Sequence, residues 1–532
     1  MRTLRAPSRR LSRLTIALAL TLGGVMAPLT LPKAAEAQTF RTEDPVLRQI
    51  WVEGMERSRT EELAHALIDS IGPRLSGTAG LDAANEWVEK IYRDLGIEVR
   101  REEYGTWTGW KHGLVHVDLI APRIQSIEAN ILAWSPGTNG PIEAEVVVLP
   151  EFVSEAEAKE WLRTIRGKAI LVSAPEPTCR EPQALERLAR AETVERLAEE
   201  RRALRISFAR RLHALGPNPY QRIEDAGASA VLTSQWSEGW GVNKVFGTVT
   251  EKIPSFDISC EDNGLLHRLA TNGEARIRID AQAERLGEVP MFNIIGELRG
   301  TEKPDEYVIL SAHLDSWHSA TGATDNGTGT VMVMEAMRIL KETYPNPKRT
   351  ILAGHWGGEE QGLIGSRAFT EDHPEIVENL QALFNQDNGT WRVEYIQAQG
   401  LLGASAHLAK WVAQLPTEIS EHIELDLPGP QETGGSDHVS FLCHGAPGWR
   451  LQSNYPDYRQ YTWHTNRDTY DKIIFDDLKN NATLAAMLAY LASEDPERVP
   501  RDRAILPINP RTGEPRDWLP CRAAQRSPRP SP

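Results

Sequence analysis

Four cysteines in 532 residues, Cys179, Cys260, Cys443 and Cys521, form no CxxC pair, which removes zinc ribbons and thioredoxin-like redox sites. There is no HExxH, so a thermolysin-type metal helix is excluded, and no strand-to-helix GxGxxG, so the common dinucleotide loop is excluded too. Positive charge is scarce: 59 Lys and Arg face 74 Asp and Glu, a formal net charge of -15. Such a surface repels nucleic acid and anionic lipid. Past residue 31 no apolar run is long enough to span a bilayer, and no internal repeat is evident.

What is present begins with a leader. Arg2, Arg5, Arg9, Arg10 and Arg13 precede an apolar run from Leu14 to Leu31, and Ala35-Glu36-Ala37 suits signal peptidase. The pattern predicts a signal peptide over 1–37, and Arg9-Arg10 after Ser8 resembles a twin-arginine export signal. The product is expected to be secreted or periplasmic, free of the membrane after cleavage. Export permits one or two disulfides, with three full pairings open.

Helical spacing marks two helices near the mature N-terminus, and 38–114 is read as the first part of a catalytic domain. Over 115–283 short β-type runs such as EAEVVVLP, GKAILVSAP and GASAVLTSQW predict a separate, mostly β inserted domain. Within it, 180–215 is rich in Glu, Arg, Leu and Ala and predicts a helical excursion with interleaved charges. From 284 to 498, apolar strands alternate with helices. That pattern predicts an α/β fold with a mixed or parallel sheet covered by helices on both faces, and an active site at strand carboxyl ends. The tail, 499–532, is expected to be extended or disordered.

The chemistry-bearing residues gather at those strand ends. His313 and Asp315 follow YVILSA, Asp325 sits in GATDNGTG before a helix, Glu359 and Glu360 follow RTILAGHWGG, and Asp387 follows LQALFNQ. Carboxylates and imidazoles collected on one sheet edge carry a heavy desolvation cost unless a cation lies among them. Two zinc ions sharing a carboxylate need five ligands. His313, Asp325, Glu360 and Asp387 supply four, and His464 in YTWHTNRDTY is the best fifth. Glu359 is then free to move a proton, and Asp315 is placed to accept the second N–H of His313. His318 and His355 compete for the ligand roles. Ser436-Asp437-His438 invites a serine-hydrolase reading, but consecutive side chains diverge and cannot form a triad. Trp317, Trp356 and Trp463 flank the candidate ligands, as apolar shielding or substrate contacts.

The motifs HLDSW, GATDNGTG, GGEEQGLIGS, NQDNG and WHTNRDT resemble those of the co-catalytic zinc exopeptidases of the aminopeptidase-Y and glutamate-carboxypeptidase superfamily, whose fold is phosphorylase/hydrolase-like. GKAILVS and EDAGASAVL resemble a protease-associated domain. The resemblance implies Asp325 bridging two zinc ions per chain, His313 and Asp387 completing one and Glu360 and His464 the other. Glu359 would be general base and acid for a two-zinc-bridged hydroxide. It further implies a non-proline cis bond from Asp325 to Asn326, a peptide substrate with dipeptides or carboxypeptidase action favoured, and a homodimer. An aminopeptidase, a single-zinc glutaminyl-cyclase-like transferase and an inactive receptor are the alternatives.

Overall fold

Four parallel strands decide where the chemistry can lie. In the computed structural model, which describes residues 42–387, 389–454 and 456–528, Lys303–His313 (β7) pairs in parallel with Arg349–Trp356 (β8) and Leu380–Asn385 (β9), and β9 pairs in parallel with Gly448–Arg450 (β10). The register aligns Trp356 with His313, Ser311 with Asn385 and Asn385 with Arg450. The carboxyl ends of β7 to β10 therefore open on one edge. The predicted signal segment, 1–37, lies outside the described residues.

Every residue of β8 and β9 is buried, as expected of strands covered on both faces. Ile309, Leu352, Trp356 and Leu383 pack with Phe369 and Phe441 from the helices Ile364–Asp372 and His438–Leu442. Thr328–Thr343 (α3) and Phe475–Glu494 (α4) pack on each other and on the same strands. Arg276–Leu298 (β6) borders β8 antiparallel, so the sheet is mixed.

Glu98–Ala121 (β1) and β6 form one long antiparallel ladder, from Glu98 opposite Glu297 to Ala121 opposite Arg276. From β6 the sheet continues through Ile142–Val148 (β2), Ala169–Leu171 (β3), Ala230–Thr233 (β4) and Ser255–Ile258 (β5). Here the reading of 115–283 as mostly β is corrected. β2 to β5 run parallel, and parallel neighbours need crossovers. Helices Glu155–Leu162, Pro219–Asp225 and Cys260–Thr271 lie between or beside them, making the segment α/β. Its strands are only three to seven residues long, and charge on the connecting helices disguised their periodicity.

The excursion folds as Pro182–Leu188 (α1) and Ala191–Ala214 (α2). Leu188 is 76% exposed, while Phe208 is the buried residue of α2. Arg201 and Arg205 pair with Glu176. The cysteines pair as Cys179–Cys260 and Cys443–Cys521. The latter ties the tail to the segment between β9 and β10, and the tail lies extended, with Leu519 N–H donating to Gln431 and Arg526 pairing with Glu371 and Asp372. Among the described residues no helix is long and apolar enough to cross a membrane.

Candidate metal centre and active site

The turn after β7 is built to turn one carboxylate inward. Arg74, fully buried, donates to the carbonyls of Gly72, Leu314, Thr321 and Gly322 and so knits the loop 314–322 to the N-terminal segment. Asp468 accepts the N–H groups of Thr324 (2.7 Å) and Asp325 (3.0 Å). The Asp325–Asn326 bond is cis. Asn326 then donates to Gln386 O and accepts from Gly329 N. A Cβ at position 329 would come within 2.3 Å of Asn326 Oδ1, so glycine is required there for α3 to start so close.

Around Asp325 the strand ends converge. His313 Nε2 lies 3.3 Å from Asp325 Oδ1 and 3.5 Å from Asp387 Oδ1. His464 Nε2 lies 3.4 Å from Asp325 Oδ2 and 2.8 Å from Glu360 Oε2. Two three-residue groups result, His313/Asp325/Asp387 and Asp325/Glu360/His464, each with donor atoms within 4.8 Å of one another. Asp325 belongs to both. The sequence reading brought these five residues together, and here they do meet. Glu359 reaches the same place, its Oε2 4.0 Å from His313 Nε2.

This donor set fits dications. His313 Nε2, Asp325 Oδ2, Glu360 Oε1 and Asp387 Oδ1 are buried atoms with no hydrogen-bond partner, although buried polar atoms are ordinarily paired. Burial, then the neighbouring carboxylates Asp387, Asp437 and Glu360, hold the Glu359 carboxyl well above its usual range. Burial and Asp325 do the same to Glu360. For His313, burial pulls the pKa down, but Glu359, Asp315, Asp325 and Asp387 outweigh it and raise it well above the imidazole range. Burial alone would raise Asp387, yet His313 brings it down to about 2. Protons thus substitute for cationic charge within the cluster. A bound dication would displace them and leave carboxylates.

One expected contact is corrected. His313 Nδ1 is 2.9 Å from the backbone oxygen of Asp315 and 3.7 Å from its carboxylate. The carboxylate is otherwise occupied: it accepts Glu359 N–H (3.1 Å) and Glu360 N–H (3.2 Å). Asp315 therefore orients the turn that carries the two glutamates, and its main chain orients the histidine.

The rival histidines stand aside. His318 Nε2 sits 2.8 Å from Ile131 O and His355 Nε2 2.7 Å from Tyr92 Oη; burial pulls both down to about 3. Ser436 Oγ accepts from Asn385, and His438 pairs with Glu432, so no triad forms. Trp317 donates to Glu360 Oε2 at 2.8 Å and Trp463 stacks on His464 at 3.9 Å, whereas Trp356 lies in the core beneath the sheet. Arg74 and Asp468 were missed from the sequence. Both lie in loops, and only burial distinguishes them.

Residues 293–489 match peptidase family M28. Over 453 residues the chain is 26% identical to carboxypeptidase Q of Mus musculus, spanning 85% of this chain and 89% of that protein. A peptidase M28 precursor of Shewanella amazonensis superposes with a TM-score of 0.61 at 23% identity, covering 86% of this chain and 98% of that one. A zinc aminopeptidase of Bacillus subtilis does so at 0.53 and 18%, covering 84% and 96%. The two solved structures bear on the fold.

Proposed function

We propose that this chain, whose residues 293–489 match peptidase family M28, is a metallopeptidase hydrolysing peptide bonds, an exported zinc exopeptidase acting on dipeptides and short peptides with two zinc ions per chain, carboxypeptidase or dipeptidase action being favoured over aminopeptidase action. One observation carries the reading: two donor groups, one buried and one partly so, share Asp325. His313, Asp325 and Asp387 would hold one ion, and Asp325, Glu360 and His464 the other. Bound zinc supplies a Lewis acid that polarises a peptide carbonyl and acidifies water.

The chain's own residues do the rest. Glu359, beside the ligands without joining either group, takes the proton of the attacking water on its carboxylate. As the C–N bond breaks, it returns that proton to the leaving amine. Asp315 fixes where Glu359 stands by accepting its N–H. Trp317 orients Glu360, and Trp463 covers one face of His464. Residues 115–283 are proposed to be an inserted protease-associated-like domain between catalytic parts 38–114 and 284–498.

Purified mature protein assayed on free and end-blocked dipeptides tests this. Activity should vanish on dialysis against a chelator and return with zinc. Full turnover by metal-free protein would refute the reading, and cleavage that needs a free amine but no free carboxylate would favour the aminopeptidase alternative.

A further inference from the structure

The metal-ligand cluster opens into a cleft of about 420 Å³ whose lining is not all acidic. Arg367, Arg450, Arg459 and Arg522 line it together with Asp325, Glu359, Glu360, Asp387 and His464. Arg450 lies 3.9 Å from Asp387, and Arg459 covers the Trp463 ring at 4.6 Å. Arg367 and Arg522 have no carboxylate partner among the described residues.

The reason lies in the tail. Arg367 is on the helix Ile364–Asp372, where Glu371, four residues on, would be its ordinary partner. The tail has taken Glu371: Arg526 pairs with it at 2.9 Å and Ala524 N–H donates to it at 2.8 Å. The same tail is pinned to the cleft by Cys443–Cys521 and by Leu519 N–H on Gln431. Those ties place Leu519, Pro520, Cys521 and Arg522 on the cleft wall. Burial and then the Arg522 charge lower the pKa of Arg367, which the Asp437 and Glu359 carboxylates offset only in part, so two like charges are held near each other on the cleft wall. Once cations balance Asp325, Glu360 and Asp387, the excess charge of the cleft is positive.

We propose that Arg367 and Arg522 form a carboxylate subsite, so that the disulfide-pinned C-terminal segment selects peptides bearing a free carboxylate, either the α-carboxylate or an acidic side chain. Guanidinium groups suit this role because they bind a carboxylate through two parallel N–H donors. The cleft volume suits a short peptide. The proposal rests on the exopeptidase reading for the identity of the ligand.

The test compares zinc-loaded parent, R367Q and R522Q on two matched pairs, Ala-Leu against Ala-Leu-amide and Ala-Glu-amide against Ala-Gln-amide. Both kcat/KM and calorimetric binding are read. The parent should prefer the carboxylate of at least one pair by about tenfold or more, mostly through KM. Each variant should shrink that preference to about threefold or less. The first pair reports the α-carboxylate and the second an acidic side chain. C521S, which unpins the tail without touching Arg367, should shrink it as well. A preference unchanged in both arginine variants, or absent from the parent, overturns the subsite. If no peptide is cleaved, the exopeptidase reading fails, and the calorimetric preference then decides the subsite by itself.

Discussion

The carboxylate of Asp315 holds the backbone of Glu359, accepting its N–H at 3.1 Å while its second oxygen accepts that of Glu360 at 3.2 Å. Asp315 thereby joins the end of β7 to the turn after β8 and fixes two glutamates for which different tasks are proposed. D315A strands two N–H groups in a buried place, at about 1–3 kcal/mol each. It should lower the unfolding midpoint and cut kcat/KM by about 100-fold through lost orientation of Glu359. D315N keeps one good acceptor and should fall between. Thermal unfolding and steady-state assays read both, and a D315A enzyme with parental kcat/KM would show that the turn needs no such support.

Glu359 is the residue whose loss should separate metal binding from turnover. E359Q preserves shape and leaves all five proposed ligands in place, so zinc content should match the parent while kcat falls by about 10²–10⁴-fold. Metal analysis alongside single-turnover kinetics makes the comparison. Parental kcat in E359Q would move the proton transfer to another group.

Arg74 is predicted to matter for the centre without touching it. Its guanidinium satisfies three carbonyls of the loop leading to Asp325 and that of Gly72, and a lysine has neither the planar fork nor the donors to serve them all. R74K should be destabilised by several kcal/mol, about 1–3 for each orphaned carbonyl, and should bind zinc more weakly. Urea unfolding with and without zinc would reveal a null effect if the loop is held by something else.

Asp257, far along the chain in β5, gives a pH signature. Burial raises its carboxyl to about 7 against the opposing bonds from Thr233, Gln235 and Asn243. Between the ordinary carboxylate value and about 7 the folded state keeps a proton that the unfolded state has lost. The associated stability is complete in acid and disappears as pH rises through that window. D257N is neutral throughout, so its stability relative to the parent should grow with pH by up to about 1.4 kcal/mol per unit and level off above about 7. Paired unfolding curves at several pH values should show this slope; a flat difference would mean that Asp257 is ionised in the fold.

Much of the site could be read from the sequence because its residues follow strands. A buried parallel strand is a continuous apolar run, and whatever polar residue ends it must lie on the sheet edge, which located His313, Asp315, Asp325, Glu359, Glu360 and Asp387 together. His464 was read as the fifth ligand from a strand-like segment before it, whereas the chain ahead of it, Tyr458–Thr462, is helical. What stayed hidden was set by tertiary contacts. Whether the Asp315 carboxylate would meet an imidazole or two amides depends on where the β8 turn passes. Arg522 is brought to the cleft in part by the pairing of Cys521 with Cys443, a choice among pairings that spacing does not make. The α/β character of 115–283 was obscured because strands of three or four residues carry too few positions for a period to register.

Zinc counted per chain in single-ligand variants tests the shared-carboxylate claim most directly. The parent should hold two ions. D387A and H464A should each retain about one, because each strips a single group, whereas D325A should retain almost none, because it strips both. A D325A protein that keeps one tightly held ion, or a parent that never exceeds one, would contradict the account.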